Sequence, residues 1–148
     1  RTGRVRPLPR SPRPSRSNLP TCMHAVPSVA LGGACGALAR YGAGRLVGRV
    51  LDTPFPWSTW TVNLVGCLLI GASIPLLSAA PIGPEGRSFL VVGFLGSFTT
   101  FSTYSLDTLA LVADGHKLFA LANAGGSLVA GLVCVWIGRR LAEAARSG

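Results

Sequence analysis

Residues 96–104, GSFTTFSTY, place glycine, hydroxyl and aromatic side chains in the middle of an otherwise apolar stretch. Glycine and threonine are weak helix formers, and threonine hydroxyls can bond the backbone in place of the helical ladder. We therefore predict a helix break near residues 96–100. At membrane depth a break survives only inside protein or beside a water-filled path, and it frees carbonyl oxygens, which are ligands for hard cations.

Five side chains in or near the apolar stretches are candidates for chemistry. Phe101 and Tyr104 share one helix face, where they either pack in the core or line a path. Asp107, an acid one turn later, is a candidate site at a pore mouth. Asn63 either bonds a neighbouring helix or contacts a ligand. Arg40 either snorkels to the membrane interface or faces protein or water.

The elements that must position these residues are apolar segments of membrane-spanning length. Only 13% of the 148 residues are charged, and the mean hydropathy is +0.47. The windows 53–84, 88–106 and 118–138 contain no Asp, Glu, Lys or Arg, and a fourth apolar window, about 26–46, includes Arg40. Because a helix needs roughly 20 apolar residues to cross the bilayer core, we predict an all-α membrane protein with four transmembrane helices, the third broken near its middle.

Residues 1–22 have a different composition, with six arginines and five prolines, which predicts a disordered tail. An arginine-rich arm could bind nucleic acid or anionic lipid, whereas the prolines argue against the amphipathic helix of a transit peptide. We favour an over-extended translation start, because Met23 is the only methionine. The four-helix membrane domain is then 23–148, with eight basic and five acidic residues, so no nucleic-acid partner is expected.

Basic residues are shared almost evenly between the two sides of the predicted membrane domain. One side has four of them and the other three, namely Arg87, Arg139, Arg140 and Arg146 against Arg45, Arg49 and Lys117. In most membrane proteins the basic residues are concentrated on one side, and this bias sets the orientation. Because the two sides differ little here, we expect little preference for one orientation. Four short spans are also too few to enclose a wide pore alone. We therefore predict an antiparallel, dual-topology dimer.

Three of the four cysteines, Cys35, Cys67 and Cys134, fall inside the predicted spans, and the chain has no CxxC pair. Buried cysteine usually behaves as a small apolar residue, so the sequence predicts neither a disulfide nor a metal site at these positions. It also lacks a His/Cys/Asp constellation, a phosphate loop and paired carboxylates, so we expect no catalytic residues and no enzyme activity.

Three segments resemble helix motifs of the CrcB family of fluoride channels, also called Fluc. Residues 32–42, GGACGALARYG, are similar to the family pattern GGxxGAxxRY, and residues 58–67, STWTVNLVGC, to GTLxVNxxGC. Residues 93–109, GFLGSFTTFSTYSLDTL, are similar to GxxGGFTTFSTFSxET. The resemblance covers residues 30–138. This chain departs from the patterns by having Ser58 and Ser97 in place of glycines, Tyr104 in place of a phenylalanine and Asp107 in place of a glutamate.

The resemblance implies a multi-pass protein of the cell membrane that exports fluoride passively and so relieves its toxicity in the cytoplasm. It implies a homodimer in the lipid bilayer with two pores, although pairing with a paralogue also fits. A structural sodium ion is expected on the dimer axis, held by the backbone carbonyls of residues matching Gly96 and Thr99.

The pore chemistry expected from the resemblance is donation to a small, strongly hydrated anion. The donors are the Asn63 amide and the hydroxyls of Ser102, Thr103 and Ser127. The ring edges of Phe101 and Tyr104 are electropositive and can face the anion. The Tyr104 hydroxyl either donates directly or narrows the path.

Two alternative functions remain. A proton-coupled transporter of the small multidrug type also has four spans and dual topology, but it needs an acid in the first span, where this chain has Arg40. A non-transporting protein that binds DNA or a partner through its basic tail leaves the polar break in the third span unexplained.

Overall fold

The computed structural model describes residues 19–79 and 82–147, and every regular element within these ranges is helical. The elements in order are α1 (Leu19–Val50), α2 (Trp57–Ala79), α3 (Pro84–Arg87), the π-helix π1 (Ser88–Leu95), α4 (Gly96–Phe98), α5 (Phe101–Ala113), α6 (Lys117–Leu121), the π-helix π2 (Ala122–Gly126) and α7 (Ser127–Ser147). Of the predicted disordered tail, residues 1–18 lie outside the described residues. Residues 19–22 belong to α1, and the division of the chain into a tail and a membrane domain stays a prediction.

Three helical segments of the described chain are long and apolar enough to cross a membrane. They are Trp57–Ala79, Pro84–Ala113 and Lys117–Ser147. The all-helical class is therefore confirmed, together with three of the four predicted spans. With 32 residues, α1 is about 48 Å long at about 1.5 Å per residue. Its glycines and arginines lower its hydropathy, and a fourth span at α1 stays a prediction.

The third apolar segment is broken in the predicted region. Its first half ends at Phe98 with α4, and α5 resumes at Phe101. Between them the backbone is extended, with φ −84° and ψ 158° at Thr99 and φ −147° and ψ 118° at Thr100. Gly96 has ordinary helical angles, φ −63° and ψ −33°, so the interruption lies at the two threonines and not at the glycine.

Helices approach closely where a glycine replaces a side chain. A Cβ on Gly36 of α1 would collide with the backbone of Phe94 in π1, and one on Gly71 of α2 would collide with the backbone of Val135 in α7. Such contacts are typical of helix packing in lipid, where close backbone approach replaces the hydrophobic effect as the source of stability.

Large apolar side chains mostly point outward, as expected for a surface that meets lipid or another chain. The few buried large side chains lie where the helices cross, among them Val62, Leu95, Phe98 and Leu111. Near the end of α2, two arginines from other elements donate to backbone carbonyls of this helix. Arg87 donates to Leu77 O at 2.6 Å, and Arg146 donates to Pro75 O at 3.0 Å.

Candidate functional site

A partly open groove of about 400 Å³ lies beside the break. It is bounded by α2, the end of π1, residues 96–100 (the break segment), the first turn of α5 and the first turn of α7. The lining residues are Asn63, Gly66, Cys67, Ile70, Leu95, Gly96, Thr99, Thr100, Phe101, Tyr104, Ser127 and Leu128. The fold therefore brings together six of the residues that the sequence predicted for the site, namely Asn63, Gly96, Thr99, Phe101, Tyr104 and Ser127.

Asn63 of α2 holds the break through both ends of its amide. Its Nδ2 donates to the carbonyl of Thr100 at 3.0 Å, and its Oδ1 accepts the backbone N–H of Thr100 at 2.8 Å. Of the two readings that the sequence left open, the interhelical hydrogen bond is present. An amide nitrogen carries two N–H groups, and among the described residues Nδ2 has Thr100 as its single acceptor. The other N–H is thus available to a ligand in the groove.

The same contacts release two carbonyls of the break segment. In a continuous helix Gly96 O would accept from the N–H of Thr100, and Thr99 O from that of Thr103. The Thr100 N–H bonds Asn63 instead, and the Thr103 N–H bonds the Thr100 hydroxyl at 3.3 Å in an N-cap. The carbonyls of Gly96 and Thr99 therefore lack their usual helical donors. Their two oxygens are suited to a hard cation such as sodium.

Arg40 of α1 also binds the break segment. Its Nε donates to the carbonyl of Ser97 at 3.1 Å, and the side chain is half-buried. Facing protein is thus the reading that the structure supports, in preference to snorkelling. The bond fixes a positive charge close to the break, and Arg40 is not among the residues that line the groove.

The two aromatic residues of α5 differ in their surroundings. Phe101 is 79% exposed in the single chain, and its ring centroid lies 5.4 Å from that of Tyr104 with the planes tilted by 38°. The Tyr104 hydroxyl donates to the carbonyl of Ala124 at 2.9 Å. Its proton is therefore engaged by π2, and its ring is held at the edge of the groove.

Ser102 and Thr103 do not line the groove. Both hydroxyls surround that of Thr100, with Thr100 Oγ1 lying 3.3 Å from Ser102 Oγ and 3.0 Å from Thr103 Oγ1. They belong to the cap at the start of α5 in the single chain. Ser127 does line the groove, and its hydroxyl donates to Asn123 Oδ1 at 3.3 Å.

Asn123 was not among the predicted site residues, yet it is the most completely buried polar side chain described, at 1% exposure. Its Nδ2 donates to Thr108 Oγ1 at 2.8 Å and so joins π2 to α5. The sequence did contain a signal, because Asn123 and Ser127 are four residues apart and share a helix face within a charge-free span. The π-helical turn that carries Asn123 has no such signature; π-turns occur often at functional sites.

Asp107 lies outside the groove, half-buried on α5. Its Oδ2 is inaccessible to water and has no hydrogen-bond partner within the described part of the chain, and the same holds for Nε1 of Trp60. A buried polar atom without a partner is costly, which makes each atom a candidate contact for a group from outside this chain.

Comparison with known proteins gives one consistent result. The family model described as CrcB-like protein, Camphor Resistance (CrcB), matches residues 28–139. A protein of Thermus thermophilus named fluoride-specific ion channel FluC is 50% identical over 116 residues, which are 78% of this chain and 93% of the relative. Proteins of the same name from a Geobacter species and from Methylobacillus flagellatus are each 45% identical. They align over 78% and 82% of this chain and 94% and 96% of their own lengths.

Proposed function

The chain belongs to the CrcB family, and from that membership we propose that this multi-pass membrane protein is a fluoride-selective ion channel. It exports fluoride passively and so keeps the cytoplasmic concentration low. The observation that carries the proposal is the groove beside the broken helix, where an asparagine amide, a serine hydroxyl and two aromatic rings meet.

The groove offers fluoride weak donors in place of water. Asn63 contributes the N–H that Thr100 does not use. Ser127 lines the groove, and its hydroxyl would donate to the ion by turning from Asn123 Oδ1, its acceptor in the single chain. The ring edges of Phe101 and Tyr104 are electropositive and can face an anion without the full charge that would trap it. A narrow path that replaces hydration in this way favours a small anion over a larger one such as chloride.

Arg40 supports the same path from a distance. Its guanidinium is bonded to Ser97 O and does not line the groove, so its charge raises the local potential without coordinating the ion. An anion is thereby attracted towards the groove but meets only neutral donors inside it. Fast conduction requires this combination, because a tightly held ion leaves slowly.

A second copy of the chain completes the pore in this proposal. The groove is open on one side, and Phe101 at its edge is 79% exposed. A partner placed antiparallel across this face would close the groove and generate a second, equivalent pore. The nearly even distribution of basic residues supports an antiparallel homodimer, since it allows insertion in both orientations.

A structural sodium ion is the cofactor that the break can hold. The carbonyls of Gly96 and Thr99 fit it, because their helical donors bond Asn63 and the Thr100 hydroxyl. Two such carbonyls from each of two chains would supply four hard oxygen ligands. A sodium ion bound there would supply a positive charge between the broken helices of the two chains. Asn63 and the N-cap of α5 hold the carbonyl-bearing segment in place.

Fluoride efflux from liposomes containing the purified protein tests the proposal. An external fluoride electrode should record rapid release once valinomycin dissipates the membrane potential in potassium-loaded vesicles. Chloride, measured in matched vesicles, should stay inside. Retention of fluoride by protein-containing vesicles at the level of protein-free vesicles would contradict the channel function. Proton-driven uptake of a lipophilic cation in the same vesicles would instead favour the multidrug-type transporter, against which residues 23–50 contain no acid.

A further inference from the structure

Cys67 of α2 lies at the junction between the groove and α7. It lines the groove four residues after Asn63, on the same helix face. On the other side its Sγ lies 3.3 Å from the position that a Cβ on Gly131 would occupy. One turn further along α2, Gly71 packs against the backbone of Val135. The turn 67–71 of α2 therefore packs on the turn 131–135 of α7.

That turn of α7 carries a second cysteine, Cys134. It lies three residues after Gly131, and residues with this spacing share a helix face. Cys67 and Cys134 are both unoxidised and half-buried. The glycine contacts bring α2 and α7 close together, so Cys67 and Cys134 lie on helix turns that pack against each other. Their separation of 67 positions in the sequence gives no hint of this proximity.

We propose that Cys67 and Cys134 form a two-coordinate site for a soft monovalent cation of the Cu⁺ or Ag⁺ class, entered through the groove. Thiolate sulfur selects soft cations over the hard ones that carbonyls prefer. The described residues contain no cluster of three or more His, Cys, Asp or Glu side chains suited to a metal, so a zinc site with four ligands is not available there. Two thiolates that approach each other across this interface would instead suit a linear complex.

The binding step changes the charge beside the groove. Two thiols and one monovalent cation give a bis-thiolate complex, and two protons are released to water. The neutral pair thus becomes a site with one negative charge, one helical turn from Asn63. The negative charge repels fluoride in the groove, so occupation of the site inhibits the channel. This inhibitory role rests on the proposed fluoride conduction.

Silver ion is the probe for the binding test, used as nitrate in chloride-free buffer to avoid precipitation. The parent protein is the full chain with Cys22→Ser and Cys35→Ser, so that Cys67 and Cys134 are the only thiols that remain. Equilibrium dialysis followed by elemental analysis should give about one Ag⁺ per chain, and bound silver should protect both thiols from alkylation. Cys67→Ala and Cys134→Ala should each weaken Ag⁺ binding at least about tenfold, because a single thiolate lacks its partner. Undiminished binding in Cys134→Ala would overturn the paired site.

Fluoride efflux is the second measurement. It distinguishes a failure of the proposed silver site from a failure of the proposed channel function. In the parent protein Ag⁺ should slow efflux at least about tenfold, and Cys134→Ala, at a position that does not line the groove, should remove the inhibition. Unchanged efflux with silver bound would overturn the inhibitory role. Absence of fluoride efflux without silver would instead contradict the proposed function, and the dialysis result would still decide whether the site exists.

Discussion

Asn63 and Thr100 exchange two hydrogen bonds, side-chain Nδ2 to backbone O at 3.0 Å and backbone N to side-chain Oδ1 at 2.8 Å. The asparagine therefore takes the place of the missing helical partners of an extended residue. Because the same amide faces the groove, Asn63 links the stability of the break to the proposed path of the ion. Substitutions can separate these two roles.

Asn63→Asp should abolish fluoride efflux while leaving a folded protein. The aspartate keeps an acceptor for the Thr100 N–H, but it removes the donor to Thr100 O and places an acceptor or a negative charge in the groove. We expect a loss of about 1–3 kcal/mol in the free energy of unfolding, measured with denaturant in detergent. Ser78→Ala, at an exposed position of the same helix, is the control. Normal efflux through Asn63→Asp would rule out contact between Asn63 and fluoride.

Phe101→Leu should stop fluoride efflux without affecting the fold. Phe101 is 79% exposed in the single chain, so the substitution removes little buried area and should cost under about 1.5 kcal/mol. Loss of the electropositive ring edge is then the main change. Gel filtration should still give the dimer, and Leu109→Met, at an exposed position on the same helix, should conduct normally. Efflux at the normal rate through Phe101→Leu would defeat the aromatic-edge mechanism, though not the channel function.

Tyr104→Phe separates the ring from the hydroxyl. The substitution keeps the ring edge and removes the bond to Ala124 O, so efflux should persist while the free energy of unfolding falls by about 0.5–1.5 kcal/mol. Parallel efflux and denaturation measurements check both expectations. A collapse of efflux with unchanged stability would mean that the hydroxyl acts on the ion itself.

Gly66→Ala and Gly96→Ala should have opposite effects on the stability of the chain. A Cβ on Gly66 would collide with the Thr99 side chain in the break and should cost about 1–3 kcal/mol. A Cβ on Gly96 lies 3.7 Å from its nearest neighbour, Val91 O, and alanine favours the helix by up to about 1 kcal/mol. Any loss of activity in Gly96→Ala should therefore arise where the Gly96 carbonyl would bind sodium on the dimer axis, and not from a less stable chain. Destabilisation by Gly96→Ala exceeding that by Gly66→Ala in denaturant unfolding would contradict this ranking.

Removal of sodium tests the proposed cofactor. Efflux should fall when N-methyl-D-glucamine replaces all sodium, and it should recover when sodium is restored, because the ion would hold the Gly96 and Thr99 carbonyls. Thr99→Ser preserves the backbone and the hydroxyl that donates to Leu95 O, so it should behave like the parent protein. Equal efflux with and without sodium would remove the ion from the mechanism.

Local composition was sufficient to predict the break, because the glycine, threonine and serine run conflicts with the helix propensity of its neighbours. Its position at Thr99 and Thr100 could not be predicted, since the bonds from Asn63 decide which residue leaves the helix. The contact between Arg40 and Ser97 spans 57 positions and depends on how α1 packs against the third span. The proximity of the turns that carry Cys67 and Cys134 likewise depends on glycine contacts between α2 and α7, which the spacing of residues in the sequence does not reveal.

The break at Thr99 and Thr100 also sets two helix termini of opposite polarity against each other. The segment ending at Phe98 presents the negative end of its macrodipole, and α5 presents its positive end at Phe101. One two-residue interruption thus offers a cation the carbonyl end of one half-helix and an anion the amide end of the other. Partial charges of this kind are fixed by the backbone, so no substitution of a side chain and no change of pH removes them while the break persists.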